Sequence, residues 1–225
     1  MINGADIMVK CLEAEGVSVV FGYPGAAICP FYDSLYNSSI KHVLVRQEQN
    51  AAHAASGYAR CSDIPGVCVA TSGPGATNLI TGIATANIDS IPVVAITGNV
   101  TTDQLGRDSF QEVDIVNIVK PITKASFLVE KVEDLAPTLR KAFEIAQSGR
   151  KGPVLVDVPK DVTANKTEFE VVKPKEVERV SIKNPEKIKK VQDMIRNAKQ
   201  PIIYAGGGII SANATEIFKK FAELT

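Results

Sequence analysis

A single carboxylate, Glu48, stands where the residue pattern favours acid–base chemistry. A strand-like run ends near Val45, and the chain then reads Gln47, Glu48, Gln49 before a segment of almost only small residues. Glu48 is thus predicted at the carboxyl end of a strand and the start of a helix, where ligands bind in open α/β sheets. A carboxylate there can accept bonds from helix N–H groups, or carry a proton if it is desolvated. The alternative is an ordinary first-turn acid.

A second candidate lies in the polar stretch from Thr101 to Asp114, which has too little apolar periodicity for a core helix. A long irregular loop in a compact domain is often functional. Phe110 and Gln111 within it can form a wall of a ligand pocket, or Phe110 can simply anchor the loop. The residues alone leave both interpretations open.

Two Gly-rich turns, residues 22–27 and 72–75, each precede a predicted helix. Glycine lets backbone approach a ligand closely, and Pro74 has a fixed φ that suits a helix start. The turn at residues 22–27 matches neither G-x-G-x-x-G nor the Walker pattern, so a plain strand–helix turn is the alternative there.

Composition argues against several other kinds of site. The chain has four cysteines without C-x-x-C spacing and two histidines, which argues against zinc. Cys68 lies in an apolar run and is predicted to be a buried thiol rather than a nucleophile. Lys plus Arg equal Asp plus Glu at 25 each, so nothing indicates binding to nucleic acid or to a membrane.

The predicted elements alternate between apolar strands and helices. A length of 225 residues with 45% hydrophobic side chains suits one large domain, or one domain plus part of another. The N-terminus is predicted to be an amphipathic helix capped by Asn3 rather than a signal peptide, and a cytoplasmic setting is the default. Alternation of this kind predicts an α/β fold with a doubly wound parallel sheet. The predicted strands are 17–21, 40–45, 66–71, 92–97, 126–129 and 153–158, and the predicted helices are 3–15, 28–36, 51–59, 76–87 and 132–147.

The last 60 residues differ in character. Residues 166–184 are charged with little periodicity and are predicted to be a linker. Residues 185–225 then give a helix (185–198), a strand (201–205), a Gly206–Gly208 turn and a last helix (217–224). This is one unit of a second domain that the residues cannot complete, so we expect the chain to be a piece of a longer protein.

Six segments, in order, resemble the amino-terminal part of thiamine-diphosphate-dependent acetolactate synthase (acetohydroxyacid synthase) large subunits. They are VVFGYPGAAICPFYD, VRQEQNAAHAASGYAR, VATSGPGATNLITGIATA, DSFQEVDIV, GPVLVDVPKDV and IIYAGGGI. The resemblance implies a pyrimidine-binding domain over residues 1–165, a linker, and the incomplete start of a Rossmann-like, FAD-associated middle domain over residues 185–225.

The resemblance also implies roles. Glu48 matches the glutamate that bonds the cofactor's aminopyrimidine ring, whose imino nitrogen then removes the thiazolium proton. The remaining matches are Tyr23, Pro24, Gly25 and Pro74 near the pyrimidine ring; Ala27, Phe110, Gln111 (also as a catalytic residue) and Lys160 at the substrate pocket; and Arg150, Gly206, Gly207 and Gly208 at FAD.

The chain departs from the family pattern at Gln47, Asn50 and Thr101, where the family usually has histidine, a small residue and proline. The Gly-Asp-Gly…Asn segment that binds Mg²⁺ and the diphosphate in this family does not occur in the sequence. We therefore expect the Mg²⁺ ligands to lie outside this chain, and the 225 residues alone to be inactive.

The implied activity is decarboxylation of pyruvate and condensation with pyruvate or 2-oxobutyrate, in branched-chain amino-acid biosynthesis. Self-association as a dimer or tetramer and a regulatory small subunit are implied partners. The alternatives are a catabolic acetolactate synthase without FAD, another thiamine-diphosphate carboligase, decarboxylase or oxidase, and a non-catalytic dimerisation module.

Overall fold

A computed structural model describes residues 1–62, 64–171, 173–174 and 184–225. The chain divides into two compact units, Met1–Arg179 and Val180–Thr225, and the division falls among residues that are not described. Each unit is described below by itself.

The first unit is built on a six-stranded parallel sheet, as the sequence predicts. Its strand order is β3-β2-β4-β5-β7-β6. A separate two-stranded antiparallel pair, β1 with β8, was not expected, because strands of two residues carry no periodicity. The strands are β1 (Ile2–Asn3), β2 (Val19–Gly22), β3 (Lys41–Leu44), β4 (Gly66–Ala70), β5 (Val93–Asn99), β6 (Ala125–Leu128), β7 (Val154–Pro159) and β8 (Lys166–Thr167).

Helices cover both faces of this sheet. Alternate residues of β4 enter two apolar clusters: Val67 and Val69 join one, and Cys68 and Ala70 join the other. The sheet is therefore doubly wound, with a core on each face. The helices of the first unit are α1 (Gly4–Ala14), α2 (Cys29–Tyr36), α3 (Glu48–Cys61), α4 (Pro74–Asn78), α5 (Ile80–Ile88), α6 (Ile115–Val119), α7 (Val132–Gln147) and α8 (Lys160–Ala164).

Helix α3 is rich in small residues because its backbone lies against both the sheet and a second helix. A Cβ added at Gly66 of β4 would lie 2.0 Å from the Ala55 carbonyl oxygen. A Cβ added at Gly82 of α5 would lie 2.4 Å from the Cβ of Ala52. These approaches leave no space for larger side chains, so they fix the position of the helix that begins with Glu48.

Several helices of the first unit differ from expectation; α8, of five residues, was not predicted. The helix expected over residues 76–87 begins earlier, at Pro74, and is divided into α4 and α5 at Leu79, which caps both. Proline needs no N–H partner at the first helical position, which explains the earlier start. Helix α6 was missed; it is short, and Asp114 caps it by accepting a bond from the Asn117 N–H at 3.1 Å.

The second unit contains α9 (Pro185–Asn197), α10 (Gly208–Ser211) and α11 (Thr215–Leu224). The strand expected over residues 201–205 is wrong: the segment forms no strand, and Ile202 and Tyr204 are 93% and 101% exposed. A strand requires hydrogen bonds to a neighbouring strand, and the described residues of this unit include no strand that could supply them.

No helix in the described part of the chain combines the length and the apolar character needed to cross a membrane.

A buried polar group lies between β5 and β7. Asp157 is 1% exposed, and its two carboxyl oxygens accept bonds from Thr97 Oγ1 at 2.6 Å and Asn99 Nδ2 at 2.5 Å. Burial raises the pKa of Asp157 to about 7, against the effect of both bonds, and the charge of Asp114 raises it slightly further. The folded state therefore keeps a proton on Asp157 at pH values where the unfolded chain releases it.

This difference predicts a pH-dependent stability. Because the pKa of Asp157 is raised on folding from an ordinary 3.8 to about 7, its contribution is present in full below pH 4 and is lost as the pH rises to about 7. We expect the difference in unfolding free energy between the wild type and Asp157→Asn to fall by roughly 2–3 kcal/mol between pH 5 and pH 7.5.

Urea unfolding of residues 1–225 at the two pH values measures this difference. Asp33→Asn, which changes an exposed acid, is the control and should keep the slope of the wild type. An Asp157→Asn variant with the same pH slope as the wild type would show that Asp157 does not titrate in this range.

Candidate active site

The candidate site lies where the strand order reverses. The chain passes from β2 to β3 on one side and then returns to β4 on the other side of β2. The carboxyl ends of β2 and β4 therefore border the crevice in which open α/β sheets bind ligands. The turn after β2, the turn after β4 and the start of α3 all lie at this edge.

Glu48 is the first residue of α3 and is only 9% exposed. Its Oε2 accepts a bond from Asn78 Nδ2 at 2.9 Å. Within the described part of the chain, Oε1 has no hydrogen-bond partner. A Cβ added at Gly75 would lie 3.3 Å from Oε1, so the absence of a side chain there keeps that oxygen uncovered. The result is a carboxyl group with one fixed oxygen and one oxygen open to a ligand.

The turn after β2 lies directly against the turn after β4. A Cβ added at Gly25 would lie 2.5 Å from the Cβ of Thr71, and the Ala27 N–H donates to Thr71 Oγ1 at 3.3 Å. Tyr23 and Pro24 are exposed beside this contact, while Ala27 is buried. Thr71 thus joins the two Gly-rich turns, and it was missed because nothing in its own segment marks it.

Tyr32 of α2 contacts the same edge of the sheet. Its hydroxyl donates to the Val69 carbonyl at 3.1 Å, and its ring packs on His42 with centroids 4.8 Å apart. Burial, with smaller effects of Cys68, Glu48 and Cys29, raises the pKa of Tyr32 well above its usual range. Tyr32 therefore remains a neutral phenol that donates to the end of β4.

The turn after β4 brings Glu48 and the Phe110–Gln111 pair to one place. Gly73 has φ +57° and ψ −120°, a conformation open only to glycine, and a Cβ there would lie 2.6 Å from the Gln111 carbonyl oxygen. Gly73 thus contacts Gln111, and Gly75, two residues later, faces Glu48. Pro74 between them is exposed. Phe110 is 87% exposed, so in this chain it is not a buried loop anchor.

Lys160 lies at the same edge of the sheet, as the exposed first residue of α8 after β7. The next residue, Asp161, accepts bonds from the Thr102 N–H at 3.0 Å and from Thr102 Oγ1 at 2.6 Å. The loop that carries Phe110 is therefore hydrogen-bonded, near its start, to the segment that carries Lys160.

The other predicted residues lie elsewhere. Arg150 precedes β7, at the opposite end of the sheet, where it donates to Ser90 Oγ at 2.8 Å and to the carbonyls of Asn87 and Ile88 at 3.1 and 3.2 Å. These bonds satisfy the carboxyl end of α5. Gly206, Gly207 and Gly208 belong to the second unit, are exposed, and have open space where a Cβ would lie.

Cys68 is fully buried, which confirms the prediction, and burial raises the pKa of its thiol to about 12.

Among the residues that the structure describes, no group of three or more His, Cys, Asp or Glu side chains is placed to hold a metal ion.

Known proteins resemble this chain closely. Residues 2–118 match the family described as thiamine pyrophosphate enzyme, N-terminal TPP binding domain. The chain is 50% identical, over 99% of its length, to a protein named probable acetolactate synthase large subunit from Methanocaldococcus jannaschii. It is 48% identical over its whole length to the acetolactate synthase isozyme 2 large subunit of Escherichia coli and to the acetolactate synthase large subunit of Corynebacterium glutamicum.

The alignments cover 39%, 41% and 36% of those three relatives, so this chain spans about two fifths of their length. The family match includes both Gly-rich turns, Glu48 and the Phe110–Gln111 pair. The site geometry and the family match agree, and the chain belongs to the thiamine pyrophosphate enzymes, of which it carries the N-terminal TPP-binding domain.

Proposed function

We propose that this chain carries the pyrimidine side of a thiamine-diphosphate site in an acetolactate synthase. The enzyme would decarboxylate pyruvate and condense the product with a second pyruvate or with 2-oxobutyrate. The observation that carries the proposal is the Glu48 carboxyl group, which is buried, fixed on one oxygen by Asn78 and open on the other. The names of the relatives supply the reaction.

The residues at the switch point fit the pyrimidine half of the cofactor. Gly25 and Gly75 both pack against Thr71, so the two turns meet at this edge, and Gly75 carries no side chain that could cover Glu48 Oε1 where the ring would bind. When bound, thiamine diphosphate supplies the electron sink for decarboxylation. Glu48 Oε1 would face a ring nitrogen, within reach for the proton transfer that activates the cofactor. Asn78 keeps the carboxyl group in one orientation.

Phe110, Gln111, Ala27 and Lys160 are proposed to line the ketoacid pocket. The exposed ring of Phe110 offers an apolar wall, the Gln111 amide a hydrogen-bonding group, and Lys160 a charge for the substrate carboxylate. Support comes from their shared position at the carboxyl edge of the sheet.

We further propose that residues 1–165 are the pyrimidine-binding domain, 166–184 a linker, and 185–225 the beginning of a middle domain. The diphosphate and Mg²⁺ would be held by parts of the protein outside this chain. Self-association as a dimer or tetramer, a regulatory small subunit and a cytoplasmic location belong to the same proposal. The names of the relatives, which describe them as large subunits, support the small subunit.

FAD is proposed as a further cofactor, and Gly206–Gly208 and Arg150 are each proposed, from the family resemblance, as residues that contact it. The three glycines leave open space for a close ligand. The Nε and Nη2 of Arg150 are engaged by Ser90 and α5, so Arg150 would contribute through its remaining nitrogen.

Gly206→Trp in the full-length protein should fill that space and lower the FAD content of the purified protein, measured by flavin absorbance. Unchanged flavin content in a folded variant would remove Gly206 from the FAD site. A full-length wild type without flavin would instead favour a catabolic enzyme.

Glu48→Gln tests the main proposal. The amide keeps the size of the side chain and the bond to Asn78 but cannot supply the acidic proton. We expect acetolactate production from pyruvate by the full-length protein, with thiamine diphosphate, Mg²⁺ and FAD, to fall about 10²- to 10⁴-fold. Glu130→Gln, which changes an exposed acid, is the control and should leave the rate unchanged.

The 225 residues alone should form no acetolactate under the same conditions. A full-length wild type that is folded and loaded with cofactor but forms no product would contradict the acetolactate synthase proposal. It would point to another carboligase, decarboxylase or oxidase. A protein that takes up no thiamine diphosphate would favour a non-catalytic module.

Thr101, where the family usually has proline, already has the backbone shape of proline. Its φ is −66°, and its N–H donates no hydrogen bond to the described residues. Thr101→Pro should therefore raise the free energy of unfolding by about 0.4–1 kcal/mol, by restricting the unfolded chain.

Thr102→Pro is the matched control, because it removes the N–H that donates to Asp161 and should destabilise the protein. Denaturant unfolding of the two variants measures both effects. Equal destabilisation by both would show that the entry to the loop does not have this conformation.

A further inference from the structure

A further carboxylate, Glu112, lies beside the candidate site. Glu112 follows Gln111 directly and collects donors from the loop before it. Its Oε1 accepts from the Gly106 N–H, and its Oε2 accepts from the Arg107 N–H at 3.2 Å, the Ser109 N–H at 3.0 Å and Ser109 Oγ at 3.1 Å. A single side chain thus closes residues 106–112 into one compact loop.

The charged form of Glu112 makes these bonds. The Ser109 and Gly106 N–H groups, followed by smaller contributions from the Ser109 hydroxyl and the Arg107 N–H, hold the pKa of this carboxyl group below its usual range. Bonds from N–H groups to a carboxylate are stronger than those to a neutral acceptor. At neutral pH the loop is therefore held together by the ionised carboxylate of Glu112.

The backbone of the loop needs these hydrogen bonds to keep its conformation. Gly106, Asp108 and Gln111 have φ values of +74°, +51° and +60°, and the left-handed region is disfavoured for the latter two. Disfavoured conformations persist only where their surroundings fix them. Glu112 follows Gln111 directly. Its hydrogen bonds to the N–H groups of residues 106, 107 and 109 span the other two positions, Gly106 and Asp108.

Phe110 depends on this backbone because little else holds it. Its side chain is 87% exposed, and the neighbouring Gln111 touches the turn after β4 through its backbone at Gly73. The direction of both side chains at the site is consequently set by the loop conformation rather than by packing of the side chains themselves.

We propose that Glu112 is a positioning residue that holds Phe110 and Gln111 at the ketoacid pocket and thereby sets how the second ketoacid is selected. The inference rests on the proposed function, since it assigns a determinant of specificity to that same site. Glu112 itself would touch neither substrate nor cofactor. Its loss should therefore change substrate use more than the turnover of bound substrate.

The experiment compares Glu112→Gln with Asp103→Asn in the full-length protein. Glutamine keeps the size of Glu112 but places an NH₂ group against the loop N–H groups. Asp103 is an exposed acid of the same loop that accepts no hydrogen bond from the described residues, so it is a matched control. Ser109→Ala, which removes only one of the four donors, serves if Glu112→Gln fails to fold.

Two readouts are taken. In kinetics with pyruvate alone and with added 2-oxobutyrate, Glu112→Gln should raise KM for pyruvate at least tenfold. It should shift the ratio of the two products at least threefold and change kcat less than threefold. In limited proteolysis, trypsin should cut after the exposed Arg107 at least fivefold faster than in the wild type. Asp103→Asn should stay within twofold of the wild type in both, and Ser109→Ala should lie between.

The outcomes separate the two proposals. A folded wild type that forms no acetolactate overturns the proposed function, and this inference with it. An active wild type with Glu112→Gln indistinguishable from Asp103→Asn overturns the inference alone. Faster cleavage at Arg107 with unchanged KM and product ratio also overturns it, because the loop would then be ordered by Glu112 without positioning substrate.

Discussion

The site depends on one constraint, the absence of a side chain at Gly73 and at Gly75. Gly73 adopts a backbone conformation that only glycine tolerates and receives the backbone of Gln111, while Gly75 leaves one oxygen of Glu48 uncovered. Three consecutive residues thus bring together a carboxyl group from one helix and a loop that begins at another strand. A methyl group at Gly73 would push the two apart, and one at Gly75 would cover the free oxygen of Glu48.

The rest of the fold brings these parts to the turn. The strand order reverses between β2 and β4, so two Gly-rich turns meet at one edge, and Thr71 bonds across them. Helix α3 reaches its position because Ala52 and Ala55 allow close approach to α5 and to β4. The small residues that make this segment look featureless are what fix the position of its first residue, Glu48.

Sequence patterns predicted the local features well. The change from strand to helix periodicity located Glu48, and the lack of periodicity located the loop of Phe110. Partners that depend on packing were missed: Asn78 is thirty positions from Glu48 and meets it only because α4 lies beside α3. The strand expected at 201–205 failed because apolar residues favour a strand only where a neighbour supplies hydrogen bonds. Glu112 was missed because its role depends on left-handed backbone that composition does not indicate.

In the proposed site, the open oxygen of Glu48 receives the pyrimidine ring while Asn78 holds the other oxygen. A crystal structure of the full-length protein with bound thiamine diphosphate tests it most directly. We expect a Glu48 carboxyl oxygen within hydrogen-bond distance, about 2.6–3.2 Å, of a ring nitrogen, with the Asn78 bond retained. A ring bound away from Glu48, or a Glu48 side chain turned from the switch point with its Asn78 bond broken, would contradict the account.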